Sequence, residues 1–264
     1  MQSGISTACL YPMETSKSLE LLLQEGYTHF EIFFNTVQEF QEPYLSVLKE
    51  KLREHGATVR SVHPFTGGFE GILLFSDYET RFTDSLEFYR QYCKAAQFLG
   101  AKHLILHGMQ RQYYSEKNEE RYFERYRALY RMAQEYGITV AQENVTRFFS
   151  EEPSFILRMK EALGEECAFC FDVKQAVRSQ VEPMEMLRAM GEKLCHIHLS
   201  DNRPGETCLL PGQGTADLQS LFLEAQKFVF DGSVILEVYR TNFKEVEELR
   251  SATKKIEEWL LQEK

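Results

Sequence analysis

Three carboxylates and one imidazole stand at the ends of short apolar runs in this chain. Glu143 follows Val140-Ala141-Gln142, Asp172 follows Phe169-Cys170-Phe171, His198 lies in Cys195-His196-Ile197-His198-Leu199, and Glu237 lies in Val234-Ile235-Leu236-Glu237-Val238. A charged carboxylate in a buried run is costly unless it is paired or binds a metal. Four such residues on strand-like segments predict one site assembled where the strands converge, and the clustered carboxylates would repel one another without a cation. The set is mostly hard and oxygen-rich. It suits one divalent ion, Mn²⁺ or Mg²⁺ in preference, with Zn²⁺ or Co²⁺ as alternatives. Ordinary strand-end salt bridges would explain any one of these residues, but explain all four together poorly.

Further candidates sit on the neighbouring runs. His63 ends Ser61-Val62-His63 and His107 ends Leu104-Ile105-Leu106-His107. Each is a candidate metal ligand, substrate contact or support for a ligand. Glu31, in His29-Phe30-Glu31-Ile32, is a candidate substrate contact. Alternate residues of a strand share a face, so His198 stands above His196, and His196 reads as a core or supporting residue. Cys167-Ala168-Phe169-Cys170 matches C-x-x-C, yet it lies on a strand and no second pair follows, so neither zinc nor redox chemistry is expected. Pro211-Gly212-Gln213-Gly214 lacks the spacing of a dinucleotide fingerprint and reads as a turn. The apolar residues of segment 69–78 suggest a lid or an interface.

These residues must be positioned by an alternation of strands and helices. Strand-like segments fall at 5–10, 28–34, 58–63, 103–107, 139–144, 168–173, 195–200 and 233–238. Amphipathic stretches fall between and after them, at 18–25, 44–55, 81–99, 119–136, 153–163, 183–190, 218–228 and 243–261. Gly26, Gly56, Gly100, Gly137, Gly164 and Gly232 punctuate the returns from helix to strand. Eight units in 264 residues leave about 33 apiece, which fits a (β/α)8 TIM barrel with its active site at the C-terminal strand ends. An open doubly wound sheet competes, but ligands from four strands converge more easily in a closed barrel. No linker divides the chain, so one domain over residues 1–264 is expected.

The formal net charge of −10 argues against a general affinity for nucleic acid. No run approaches a membrane span and no signal-peptide pattern opens the chain, so no membrane partner is expected. The six cysteines are dispersed, as in a reduced cytoplasmic protein.

At Ala141-Gln142-Glu143-Asn144, Phe171-Asp172-Val173, His196-Ile197-His198-Leu199-Ser200-Asp201-Asn202, Leu210-Pro211-Gly212-Gln213-Gly214 and Ile235-Leu236-Glu237 the chain resembles the xylose-isomerase-like TIM-barrel superfamily, in its sugar phosphate isomerase/epimerase branch. Phe98-Leu99-Gly100-Ala101-Lys102, leading to His107, matches the approach to that family's fourth strand. The resemblance spans nearly the whole chain. It implies a metal quartet of Glu143, Asp172, His198 and Glu237, with Glu143 and Glu237 also moving protons. It implies a substrate-contacting arginine, for which Arg203 is the nearest match, one residue closer to His198 than the pattern has it. Gln175 departs from the pattern, since many members carry histidine three residues after the sixth-strand aspartate. The segment 203–214 lacks the histidines of the trinuclear apurinic endonuclease branch.

The activity implied is a metal-dependent sugar isomerase or epimerase that abstracts a proton next to a carbonyl and passes through an enediolate. The substrate would be a small sugar or polyol, and a homo-oligomer is compatible with this reading. An inosose-type dehydratase and a non-catalytic metal- or sugar-binding barrel are the alternatives.

Overall fold

The buried runs pair edge to edge, every pair parallel, and the pairing closes on itself in the order β1-β10-β7-β6-β5-β4-β3-β2. These strands are β1 (Gln2–Ser6), β2 (His29–Phe33), β3 (Thr58–His63), β4 (His103–Leu106), β5 (Thr139–Glu143), β6 (Phe169–Asp172), β7 (Leu194–Leu199) and β10 (Ser233–Leu236). The structure is a computed structural model that describes residues 1–228, 230 and 232–261. Helices lie outside the strands, among them α1 (Thr15–Gln24), α2 (Tyr44–Glu54), α3 (Glu70–Leu73), α4 (Glu79–Leu99), α5 (Glu116–Gln134) and α6 (Pro153–Leu163), and the architecture is a (β/α)8 TIM barrel. No helix among the described residues is long and apolar enough to cross a membrane.

Two layers fill the structure. Between strands and helices, residues such as Phe34, Tyr92, Tyr126, Phe171 and Phe222 are completely or almost completely buried. Burying one such side chain contributes ~1.5–3 kcal/mol. Inside the barrel a small cluster of Ile105, Ala141 and Cys170, with Cys195 against it, forms the floor beneath the mouth.

Local chemistry explains where the elements depart from the apolar pattern. The first run was expected as a strand over 5–10. It pairs only to Ser6 and then coils as a 3-10 turn, Thr7–Leu10, because Ser6 Oγ accepts from the Ala8 N–H at 3.3 Å. A short helix, α7 (Val173–Arg178), starts directly on β6, capped by Asp172. A hairpin, β8 (Asp201–Arg203) with β9 (Glu206–Leu209), follows β7. Its loop closes on Asp201, whose carboxylate accepts from the N–H groups of Gly212 and Gly214, each at 2.9 Å. Pro211–Gly214 is therefore a turn. A Cβ on Gly214 would lie 2.2 Å from Asp201 Oδ1, so the loop needs glycine there.

Five of the six punctuating glycines have positive φ. Gly232 does not, and serves close approach instead: a Cβ there would meet the Cys195 carbonyl oxygen at 2.3 Å. The segment 69–78 is anchored rather than free. Leu74 and Phe75 are buried, and Glu70 accepts from the Gly108 N–H at 2.5 Å, while Phe69, Ile72 and Tyr78 remain exposed.

Candidate active site

Four consecutive staves of the barrel wall, β5, β6, β7 and β10, each deliver one side chain to the C-terminal rim. Asp172 and His198 are register partners, and the Glu237 N–H donates to the Leu199 carbonyl at 3.1 Å. Ligand atoms of Glu143, Asp172, His198 and Glu237 all lie within 4.8 Å of one another. His198 Nδ1 faces Glu143 Oε1 at 3.3 Å, Glu237 Oε2 at 3.6 Å and Asp172 Oδ2 at 4.0 Å. Its other nitrogen, Nε2, lies 3.0 Å from Glu31 Oε2. A carboxylate on that far nitrogen orients the imidazole and directs the Nδ1 lone pair into the cluster.

Neighbouring groups hold the carboxylates in place. Asp172 Oδ1 accepts from the Gln175 N–H at 3.0 Å, which caps α7 and leaves Oδ2 for the centre. Asn144 clasps the Asp172 backbone, accepting from its N–H at 2.7 Å and donating to its carbonyl at 2.9 Å. Gln142 Nε2 donates to the carbonyls of Glu143 at 2.8 Å and His107 at 2.9 Å, tying the ends of β4 and β5 together. Sequence reasoning gave Asn144 and Gln142 no role, although both stand in the run that marks Glu143.

The donor set fits a divalent cation. Glu143 Oε2 and Asp172 Oδ2 are buried with no hydrogen-bond donor aligned on them, although His107 and Lys174 lie at ion-pair distance. Two buried carboxylate oxygens so placed, beside an oriented imidazole, are what a metal would satisfy. Burial, opposed by Lys174 and reinforced by Glu143 and Glu237, pushes the Asp172 carboxyl up to about 7. Burial would also raise Glu143, but His107, His198 and His63 hold it well below the usual carboxylate range. Burial likewise works against Glu237, which Lys174 and His198 pull down.

Lys174 is the residue sequence reasoning left without a role. Its Nζ lies 2.8 Å from Glu237 Oε2 and 3.2 Å from Asp172 Oδ2, and its side chain is only 4% exposed. The adjacent Gln175, in place of the expected histidine, accepts from the Thr146 N–H at 3.2 Å.

Above the quartet opens a cavity of about 650 Å³, bordered by Glu143, Glu237, His63, His107, Lys174 and Gln175. Tyr11, Phe33, Phe65 and Tyr239 give it aromatic walls. His63 Nδ1 lies 3.0 Å from the Pro64 carbonyl, to which it donates, and its Nε2 faces the neighbouring imidazole. That Nε2 is 3.0 Å from His107 Nε2, which is also 3.0 Å from Glu143 Oε2. His63, His107 and Glu143 thus form a second group of ligand atoms that shares Glu143 with the first.

Glu31 and Arg203 are not brought to the cavity. Glu31 is completely buried, and its Oε2 is taken by His198 Nε2 and by the Ser61 hydroxyl at 2.8 Å. Arg203 pairs with Glu206 across the hairpin turn and is half-exposed. Cys167 and Cys170 are free and buried, and burial raises both thiols above their ordinary range, which suits structural cysteines.

Residues 19–262 match the protein family described as xylose isomerase-like TIM barrel. An uncharacterized protein of Mycobacterium leprae is 24% identical over 96% of this chain and 91% of its own. Among solved structures, a D-tagatose 3-epimerase-like protein superposes with a TM-score of 0.82 at 17% identity, covering 100% of this chain and 98% of that one. A D-psicose 3-epimerase crystallised in the presence of D-fructose superposes with a TM-score of 0.80 at 14% identity, covering 98% of each chain.

Proposed function

The chain belongs to the xylose isomerase-like TIM-barrel family, and from that premise we propose that it is a divalent-metal-dependent isomerase or epimerase of a small sugar or polyol ketone. One observation carries the reading. Two carboxylates, Glu143 and Glu237, border the same cavity while belonging to a converged set of three carboxylates and an imidazole. Glu143, Asp172, His198 and Glu237 would hold the ion, with Mn²⁺ or Mg²⁺ favoured by the oxygen-rich set. When bound, the ion supplies Lewis-acid polarisation of the substrate's carbonyl and neighbouring hydroxyl.

The chain's own residues do the rest. One of the two glutamates takes the proton from the carbon beside the carbonyl, and the other returns a proton. Return to the opposite face of the same carbon gives an epimer. Return to the former carbonyl carbon, with the hydroxyl proton passing from one oxygen of the enediolate to the other, gives the aldose–ketose isomer. Asp172 does not border the cavity, so it holds rather than reacts. His107, 3.0 Å from Glu143 Oε2, bears on that carboxylate's charge. The aromatic walls exclude water and receive the C–H faces of a sugar ring. The epimerases of similar fold suggest D-tagatose, D-psicose and D-fructose as first substrates to try. An inosose-type dehydratase starts from the same abstraction and differs in product.

The test is exchange and turnover in D₂O. Wild type with Mn²⁺ should place deuterium beside the carbonyl of a turned-over ketose. Glu143→Gln and Glu237→Gln should each lower turnover by about 10²–10⁴-fold, because a carboxamide cannot accept the proton. The double variant should lose little more than the worse single one, since either change interrupts the same transfer. Near-normal turnover by a metal-loaded double variant would sink the assignment.

A further inference from the structure

We propose that Lys174 is a tethered counter-cation that occupies the carboxylate mouth in the metal-free protein and must yield to the divalent ion, so that this side chain sets the metal affinity. The inference rests on the metal reading above, and its test separates the two.

The placement of Lys174 follows from the chain. It is the second residue of α7, a helix that begins on the strand-ending Asp172 itself. Side chains of a first helical turn lean toward the helix N-terminus, which here is the barrel mouth. The ammonium therefore reaches back over the rim instead of out to solvent. Its Nζ bridges Glu237 Oε2 at 2.8 Å and Asp172 Oδ2 at 3.2 Å. Both carboxylates belong to the quartet, and Glu237 Oε2 is also 3.6 Å from His198 Nδ1.

A buried ammonium needs compensating charge, and this one has two carboxylates and little else. Among the quartet's carboxylates only Glu143 lacks a contact with Lys174; the histidines face it instead. A divalent ion that takes all four ligands would share Asp172 and Glu237 with the ammonium. Two cations on the same carboxylates repel across a short, poorly screened gap. The lysine has somewhere to go. It borders the cavity, and its Nζ already lies 5.1 Å from the centre of the Tyr239 ring, a face that receives a cation. Metal binding and the swing of Lys174 are thus one exchange of cations. The protein retains a neutralised mouth when metal is scarce, and its metal affinity is lower than the bare quartet would have.

The probe is Mn²⁺ itself, followed by calorimetry and by the spin resonance of free Mn²⁺, on wild type, Lys174→Met and Lys174→Gln. Removing the ammonium should tighten Mn²⁺ binding by about tenfold or more. The metal-free variants should melt below wild type, and that gap should narrow when Mn²⁺ is saturating. Should the variants fail to fold, wild type alone decides. Reductive methylation with formaldehyde, read by mass spectrometry, should spare Lys174 without metal and modify it with Mn²⁺ present. Equal or weaker binding by folded variants would overturn the inference and leave the metal reading standing, and so would a methylation pattern that metal does not change. A wild type that binds no Mn²⁺ beside a variant that does would support the competition in its strongest form. Absence of binding in wild type and variants alike would overturn both readings.

Discussion

His196 and His198 stand two residues apart on one strand, point to the same side and are both buried, yet their chemistry is opposite. Burial pulls the His196 imidazole down, and Glu31 at 3.4 Å does not reverse it. Its Nδ1 has no partner. Burial opposes the charge on His198 too, but Cys170 and the carboxylates of Glu31 and Glu237 carry its imidazole well above the usual range. The difference is one layer of the barrel. At the mouth, His198 is ringed by Glu143, Asp172 and Glu237, with Glu31 behind it. One layer down, the neighbours of His196 are Ser61, Glu31 and the ring of His103. Residue type alone does not set the state of these two histidines, because the carboxylates around them differ from one layer to the next. Glu31 joins the two layers, since a single oxygen faces both rings.

That contrast predicts a gradient of metal affinity. His198→Ala should be the most damaging, with Mn²⁺ binding weakened beyond the ~100-fold that loss of a supporting group reaches. Glu31→Gln should follow, at ~10–100-fold, because it leaves His198 Nε2 without its orienting carboxylate. His196→Gln should fall below tenfold, since no ligand depends on it directly. Calorimetric titration of the three variants tests the order. A His196→Gln defect as large as that of His198→Ala would erase the distinction between the layers. A Glu31→Gln protein with unchanged affinity would remove the link between them.

The residues of the mouth were legible because each breaks an apolar run. Glu143, Asp172, His198 and Glu237 announce themselves by being charged where burial should forbid it, and the structure brings their ligand atoms within 4.8 Å. Helices Pro153–Leu163 and Pro183–Met190 were legible to the residue, since each opens on a proline and meets a glycine at its end. What escaped has physical causes. Glu31 reads from sequence as a substrate contact, but it lies on β2, across the barrel from β7, and its contact with His198 spans 167 positions of sequence, so only closure of the barrel reveals it as a partner of that histidine. Lys174 carries no periodic signal, because α7 is a six-residue helix hidden behind the strand it follows. Arg203 entered as a substrate contact only through the family resemblance. The hairpin places Glu206 opposite it, and that nearer partner takes the guanidinium.

The layer contrast also reaches the far end of the barrel, where the smallest effect is expected. His103 opens β4, and its ring centre lies 5.7 Å from that of His196. Burial, with His196, Arg60 and Lys102 adding to it, pulls the His103 imidazole down to about 3, and its Nδ1 has no partner. The ordinary value for histidine is about 6.5. Between the two, the unfolded chain binds a proton that the folded chain refuses. Stability from this group is therefore whole above pH ~6.5 and drains away as pH falls toward 3. The slope cannot exceed ~1.4 kcal/mol per pH unit, and the partial exposure of the residue reduces it. Urea unfolding of metal-free wild type and His103→Gln at pH 7 and pH 5 should differ by about 1 kcal/mol in how much stability each loses, with wild type losing more. Asp172, raised to about 7, acts with the opposite sign over much of this range, because its folded form retains a proton the unfolded chain has released. It is common to both proteins and cancels in the comparison. Parallel losses would mean that His103 is solvated well enough to titrate normally. Neutrality beneath the mouth would then stop at His196.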